Sequence, residues 1–178
     1  MTASLEFVAT PLAGAHLVKS APVTDDRGFF CRLFDAEDFA RRGFDTRRLQ
    51  CSASFNERLG TLRGLHYQCA PHEEHKVVRC AAGAIFDVIV DIRPQSPTYR
   101  RWFGTELSAA NRASLFIPAG FAHGFITLSD AAEVHYMISV PHAAESARGL
   151  RWNDPAFGIE WPLQPRVMSE RDASYPLL

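Results

Sequence analysis

Three stretches of this chain concentrate side chains able to move protons or hold oxyanions. Thr61-Leu62-Arg63-Gly64-Leu65-His66-Tyr67-Gln68 sets a guanidinium, an imidazole and an amide around one glycine. Ile117-Pro118-Ala119-Gly120-Phe121-Ala122-His123-Gly124-Phe125 puts a second imidazole beside turn residues. Tyr136 shares the apolar face of an alternating run with Val134 and Ile138, so in a barrel its hydroxyl points inward. A buried phenol must be a satisfied core group or a donor in a site. Taken singly, a histidine or tyrosine in a β core is more often structural. A catalytic metal would need nitrogen or carboxylate ligands converging from several positions. His66, His72 and His75 lack a His-x-His spacing, and the position four after His123 is Thr127, so no metal is expected.

Such groups need a scaffold, and the sequence reads as short strands punctuated by turns. Lys76 to Cys80 is β-prone and is followed by the turn-like Ala81-Ala82-Gly83. From Ala84 to Ile92, Phe86, Val88, Val90 and Ile92 alternate with Asp87 and Asp91, and Arg93 to Pro97 breaks the run. Ser114 to Ile117 and Glu133 to Ser139 are further strands. This spacing predicts an antiparallel sandwich or barrel rather than a βαβ fold. Two helical pieces interrupt it. Asp35 to Gly43 has an N-cap candidate, Asp38 at the capping-box position and a C′ glycine, and Ser169 to Asp172 opens a single turn.

Length and charge bound the rest. At 178 residues the chain suits one domain with a real core. A net charge of −1 gives no reason to expect nucleic acid or an anionic membrane as partner, so an anionic ligand must be met by local cations. Cys31, Cys51, Cys69 and Cys80 form no CxxC pair, and neither a signal segment nor a membrane-length apolar run is visible. A reduced, cytoplasmic setting is expected.

The chain resembles the dTDP-4-dehydrorhamnose 3,5-epimerase family over nearly its whole length. The resemblance rests on Arg27-Gly28-Phe29-Phe30, the Thr61–Gln68 and Ile117–Phe125 stretches, His75-Lys76-Val77-Val78-Arg79, Phe86 to Arg93, Ser96-Pro97-Thr98, Trp152-Asn153-Asp154-Pro155 and Ser169-Glu170-Arg171-Asp172. It implies a cupin-type jelly-roll barrel of antiparallel strands with a few short helices, without cofactor or metal. The expected layout is one domain over 1–178, with an N-terminal arm to about 45, a barrel over about 46–145 and a C-terminal segment beyond. It implies a homodimer whose N-terminal strands exchange, acting on a nucleotide-sugar substrate.

By the same resemblance His66 is the catalytic base, Asp172 its carboxylate partner, Tyr136 the acid on the opposite face of the sugar and Lys76 the cation at the keto oxygen. Arg27, Gln50, Arg63, His123 and Arg171 match positions that hold nucleotide and sugar. Arg32, Ser52 and His142 join them as substrate-binding positions where the rhamnose-pathway members commonly carry other residues, including a thymine-stacking tyrosine at His142. The chemistry suits these types. A proton α to a ketone becomes acidic when an enolate oxygen is stabilised, and a placed cation does this. An imidazole, whose ordinary pKa is about 6.5, is a base matched to neutral pH. Epimerisation at C3, C5 or both is expected, with a 3-only epimerase or ketoisomerase of the same fold and a non-catalytic sugar-nucleotide binding protein as alternatives. Asp172 could instead be a capping-box carboxylate, Lys76 a solvated strand residue and Arg63 an ion-pair partner.

Overall fold

The computed structural model describes residues 4–178; the first residues of the expected N-terminal arm lie outside them. In chain order the elements are β1 (Leu5–Ala9), β2 (His16–Ser20), β3 (Val23–Asp25), β4 (Gly28–Phe30), α1 (Ala36–Ala40), β5 (Gln50–Asn56), β6 (Leu62–Gln68) and β7 (Lys76–Ala82). β8 (Ala84–Asp91), β9 (Trp102–Ser108), β10 (Ser114–Ile117), β11 (Phe121–Thr127), β12 (Ala132–Ile138), β13 (Ala147–Gly149) and α2 (Glu170–Ser174) follow. Two antiparallel sheets face each other, a six-stranded one in the order β1-β2-β10-β7-β12-β5 and a five-stranded one in the order β13-β6-β11-β8-β9. This is the antiparallel barrel that the strand spacing predicts, with the jelly-roll form that the resemblance implies. β3 and β4 form a separate hairpin.

Each strand buries what its alternation directs inward. Val78, Cys80, Ile89, Leu115, Phe125 and Val134 meet between the sheets. The outer faces are covered as well. Val88, Val90 and Leu65 pack under Phe157 and Trp161 of the C-terminal segment, while Val77 and Phe116 lie beneath Phe39 and Phe44. β8 therefore turns its apolar Phe86-Val88-Val90 face outward and sends Asp87 and Asp91 into the barrel, both fully buried.

A buried carboxylate needs donors, and Asp91 finds them in the turn that follows β8. It accepts from Arg93 Nε at 2.8 Å, Arg93 Nη2 at 2.7 Å and Thr98 Oγ1 at 2.6 Å, as well as from Ser96 Oγ. Burial pushes this carboxyl up, but the bonds from Arg93, Ser96 and Thr98 outweigh it and bring the pKa down to about 2. The sequence motif Arg93 to Thr98 is thus a clamp on a strand end.

The helix expectations hold with one difference. Asp35 caps α1, accepting from the backbone N–H groups of Glu37 and Asp38. The Asp38 side chain pairs with Arg41 rather than reaching back, so the capping box is only half built. Phe39 of this helix is fully buried on the barrel wall. All four cysteines are free. No described helix is long and apolar enough to cross a membrane.

One irregularity decides what the barrel can present. In a regular strand Arg63 and His66, three apart, would face opposite ways. Their partners on β11 are Phe125 and His123, two apart, so β6 carries an extra residue between them. The bulge puts both side chains on the inner face. Gly64 makes it possible, with φ at 130° and its α-carbon so near Gly124 that an added Cβ would lie 2.5 Å from that Cα.

Gly64→Ala should therefore destabilise the fold by about 3 kcal/mol through backbone strain and overpacking, read as a lowered urea midpoint. Asp91 predicts a pH effect. Its folded pKa lies below the ordinary 3.8, so its stabilisation is present above that value and is lost as pH falls towards about 2. Asp91→Asn should lower stability at neutral pH and flatten this acid-side loss in pH-dependent denaturation.

Candidate active site

Between the inner faces of the two sheets opens a cleft of about 420 Å³, a size that suits a small organic ligand. Its six-stranded wall is built by strict alternation. β5 contributes Gln50, Ser52 and Ser54, β7 contributes Lys76 and β12 contributes Tyr136, while their neighbours Cys51, Phe55 and Met137 face away. The facing wall offers Arg63 and His66 from either side of the bulge and His123 from β11. His142 and Arg171 complete the rim.

His66 is held from behind. Its Nε2 lies 2.7 Å from Asp172 Oδ1, and the other carboxylate oxygen accepts from the Gly64 backbone N–H at 3.1 Å. The ring is partly open, whereas the Asp172 side chain is nearly buried. Burial would raise this carboxyl, but the His66 contact, the Gly64 N–H and the nearby Ser169 hydroxyl bring it below the ordinary range. A carboxylate there accepts from Nε2–H and leaves Nδ1 with the lone pair, the arrangement of a base. Ser169 Oγ still caps α2 by accepting from the Asp172 N–H, so the helix start and the dyad coexist. Capping alone does not account for where the Asp172 carboxylate points.

Tyr136 stands on the opposite wall. Its hydroxyl lies 3.0 Å from Ser54 Oγ, and burial, only partly offset by that bond, pushes its pKa up to about 12. A phenol in this state stays protonated at neutral pH and can give a proton. Two groups able to exchange protons therefore stand on opposite walls of the cleft, one with a free lone pair and one with a proton to give.

The remaining side chains supply charge. Lys76 is buried, with Nζ 2.7 Å from Glu74 Oε1, so it is not a solvated strand residue. His123 Nε2 lies 2.8 Å from Asp87 Oδ1, both buried. Arg63 donates from Nε to Asn56 Oδ1 at 2.7 Å and meets no carboxylate there, leaving part of its fork for a ligand. Arg148, on β13, also reaches the cleft. Among the described residues no three His, Cys, Asp or Glu side chains converge as a metal site requires.

Two expected positions lie elsewhere. Arg27 sits on the β3–β4 hairpin, largely exposed and paired with Asp25, and Arg32 pairs with the helix cap Asp35 at 3.0 Å. Neither lines the cleft of its own chain: the hairpin that carries Arg27 stands apart from both sheets, and Arg32 is turned to the start of α1. Conversely Ser54, Glu74, Asp87 and Arg148 belong to the site and were not singled out by sequence. Asp87 had a signal, a carboxylate alternating with core residues. Ser54 had another, its period of two with Gln50 and Ser52.

Known proteins share this construction. The family model described as dTDP-4-dehydrorhamnose 3,5-epimerase matches residues 9–178. A curated protein of that name from Sinorhizobium fredii is 43% identical, covering 97% of this chain and 89% of its own length. The dTDP-4-dehydrorhamnose 3,5-epimerase of Bacillus anthracis, solved with TDP and PPi bound, superposes with a TM-score of 0.93 at 36% identity, covering 98% of this chain and 100% of that one. An epimerase of Legionella pneumophila, solved in complex with dTDP-4-keto-L-rhamnose, gives a TM-score of 0.90 at 36% identity, covering 98% and 93%. Sequence and fold thus agree over almost the entire length, and the chain belongs to the dTDP-4-dehydrorhamnose 3,5-epimerase family, built as a cupin-type jelly roll.

Proposed function

We propose that this chain, acting as one domain, epimerises an NDP-4-keto-6-deoxyhexose at C3 and C5, a conversion of the dTDP-4-dehydro-6-deoxyglucose to dTDP-4-dehydrorhamnose type. The observation that carries this reading is the opposition of His66 and Tyr136 on facing walls of one cleft. Inverting a carbon needs a proton taken from one face and another returned to the other, and a binding protein would need neither group.

In the proposed mechanism His66 Nδ1 removes the proton α to the ketone. Asp172 holds the ring in the tautomer that frees Nδ1 and balances the imidazolium as it forms. Negative charge then moves to the sugar oxygen, where the Lys76 ammonium stabilises the enolate. Tyr136 delivers its proton to the opposite face, and Ser54 holds the phenol oxygen while it carries charge. Arg63 and Arg171 suit the diphosphate, because guanidinium forks match phosphate oxygens. Gln50, Ser52, His123 and His142 line the same cleft and are assigned to sugar and nucleotide. The names and bound ligands of the relatives support this substrate class.

The hairpin supplies the argument for a homodimer. Phe29 and Phe30 are 52% and 68% exposed, an apolar edge that a second copy would cover. Arg27 lies on the same hairpin, beside these rings, and would reach the neighbouring copy's cleft rather than its own.

Two measurements test these readings. In D2O with dTDP-4-keto-6-deoxyglucose, NMR should locate deuterium at C3 and C5. His66→Ala should cut wash-in at least ~100-fold while dTDP binding persists. Deuterium at C3 alone would identify a 3-only epimerase, and none in the wild type would leave only a binding protein. Light scattering at micromolar concentration should give a dimer that Phe29→Ser with Phe30→Ser converts to monomer; an active wild-type monomer would refute it.

A further inference from the structure

The wall that carries Lys76 also carries an acid that the proposed reaction does not use. Glu74 lines the cleft, and its side chain is only 11% exposed. A carboxylate in a cleft for a diphosphate-bearing ligand is unfavourable by charge alone, since like charges at close range repel. Its surroundings account for its presence. Oε1 lies 2.7 Å from Lys76 Nζ, and Oε2 accepts from Gln68 Nε2 at 2.9 Å. Gln68 is itself immobilised, buried in β6, accepting from the Ala143 N–H at 2.6 Å and donating to the His72 carbonyl at 3.0 Å. A fixed amide thus holds the carboxylate, and the carboxylate holds the ammonium.

Lysine has a flexible four-carbon stem and a charge that acts as a point source, so its usefulness at one oxygen atom depends on being held. The pair with Glu74 engages one of three N–H donors and leaves the others for the cleft. We infer that Glu74 is a positioning residue for the epimerisation, acting through Lys76 to keep the ammonium where the enolate oxygen forms. The inference rests on the proposed role of Lys76.

The sign of one substitution decides it. A nearby carboxylate also offsets part of the ammonium's field, so a charge that merely screened Lys76 would slow the enzyme, and removing it would speed turnover. A charge that positions Lys76 does the reverse.

The test is steady-state epimerisation of dTDP-4-keto-6-deoxyglucose by the full chain. Glu74→Gln should lower kcat roughly tenfold, less than the ~100-fold or more that losing an oxyanion donor outright can cost. KM should stay within about twofold, because the ammonium acts on charge that develops after binding. In a Lys76→Met background the same change should cost less than about twofold, the non-additivity expected of groups that act as a unit. Glu74→Asp, which keeps the charge but withdraws it by one methylene, should fall between wild type and Glu74→Gln, and it carries the test if Glu74→Gln does not fold. An unchanged or increased kcat in Glu74→Gln, or an equal loss in both Lys76 backgrounds, would overturn the inference. If Lys76→Met alone turned over like the wild type, the assignment of Lys76 would fail instead.

Discussion

Two donors on one strand, the His66 ring and the Gly64 backbone N–H, converge on the single carboxylate of Asp172. That convergence is available only because β6 bulges between Arg63 and His66. Without the extra residue, one of those two side chains would point out of the barrel. The same contact draws the C-terminal segment onto the sheet. α2 begins beside the parallel bridge between Thr61 and Val167, and the chain beyond is tied down where the Leu178 N–H donates to Asp154. Backbone geometry, tautomer choice and the course of the last turn are thus one constraint with three expressions.

Much of this was legible in the residues, and the rest was hidden for identifiable reasons. The alternation in β12 put Tyr136 inside and the break after Ile92 marked the end of β8, because period and breakers are local properties. β7, by contrast, runs past the expected turn residues Ala81 and Ala82, leaving Gly83 alone to turn the chain into β8. Ser169 announced α2 by its capping chemistry. The resemblance brought His66, Lys76 and His123 to one site, and the fold unites them. What escaped was set by tertiary pairing. A bulge is invisible until the facing strand is known, so nothing in the Thr61–Gln68 stretch said that residues three apart share a face. Asp87 and Glu74 gain meaning only from His123 and Lys76, each on another strand or two residues along an inward-facing row. Arg27 matches the family by sequence, yet the hairpin that follows β2 carries it away from its own cleft, and Arg32, at a position where rhamnose-pathway members commonly carry another residue, is taken up by the α1 cap Asp35.

The charge pattern explains how a chain of net charge −1 can receive an anionic ligand. Arg63, Arg148, Arg171 and Lys76 gather at one opening, while many of the acids elsewhere are spent on local pairs such as Asp25 with Arg27 and Asp45 with Arg47. Within the cleft the acids are placed behind the working groups. Asp172 stands behind His66, Asp87 behind His123 and Glu74 beside Lys76. Cationic and imidazole groups thus dominate the lining, and each carboxylate is bonded to one of them.

Because His66 and Tyr136 belong to different sheets, the span between them is not written in either strand. It is set by the thickness of the filling beneath the cleft, where Val78, Ile89, Phe125 and Val134 keep the sheets apart. Packed sheets stand about 10 Å from each other, a separation maintained by side-chain bulk alone. The apolar interior is then a calliper as much as a source of stability. A methyl group added or lost in that filling, far from any polar atom, therefore resets the span between His66 and Tyr136 while leaving both side chains unchanged.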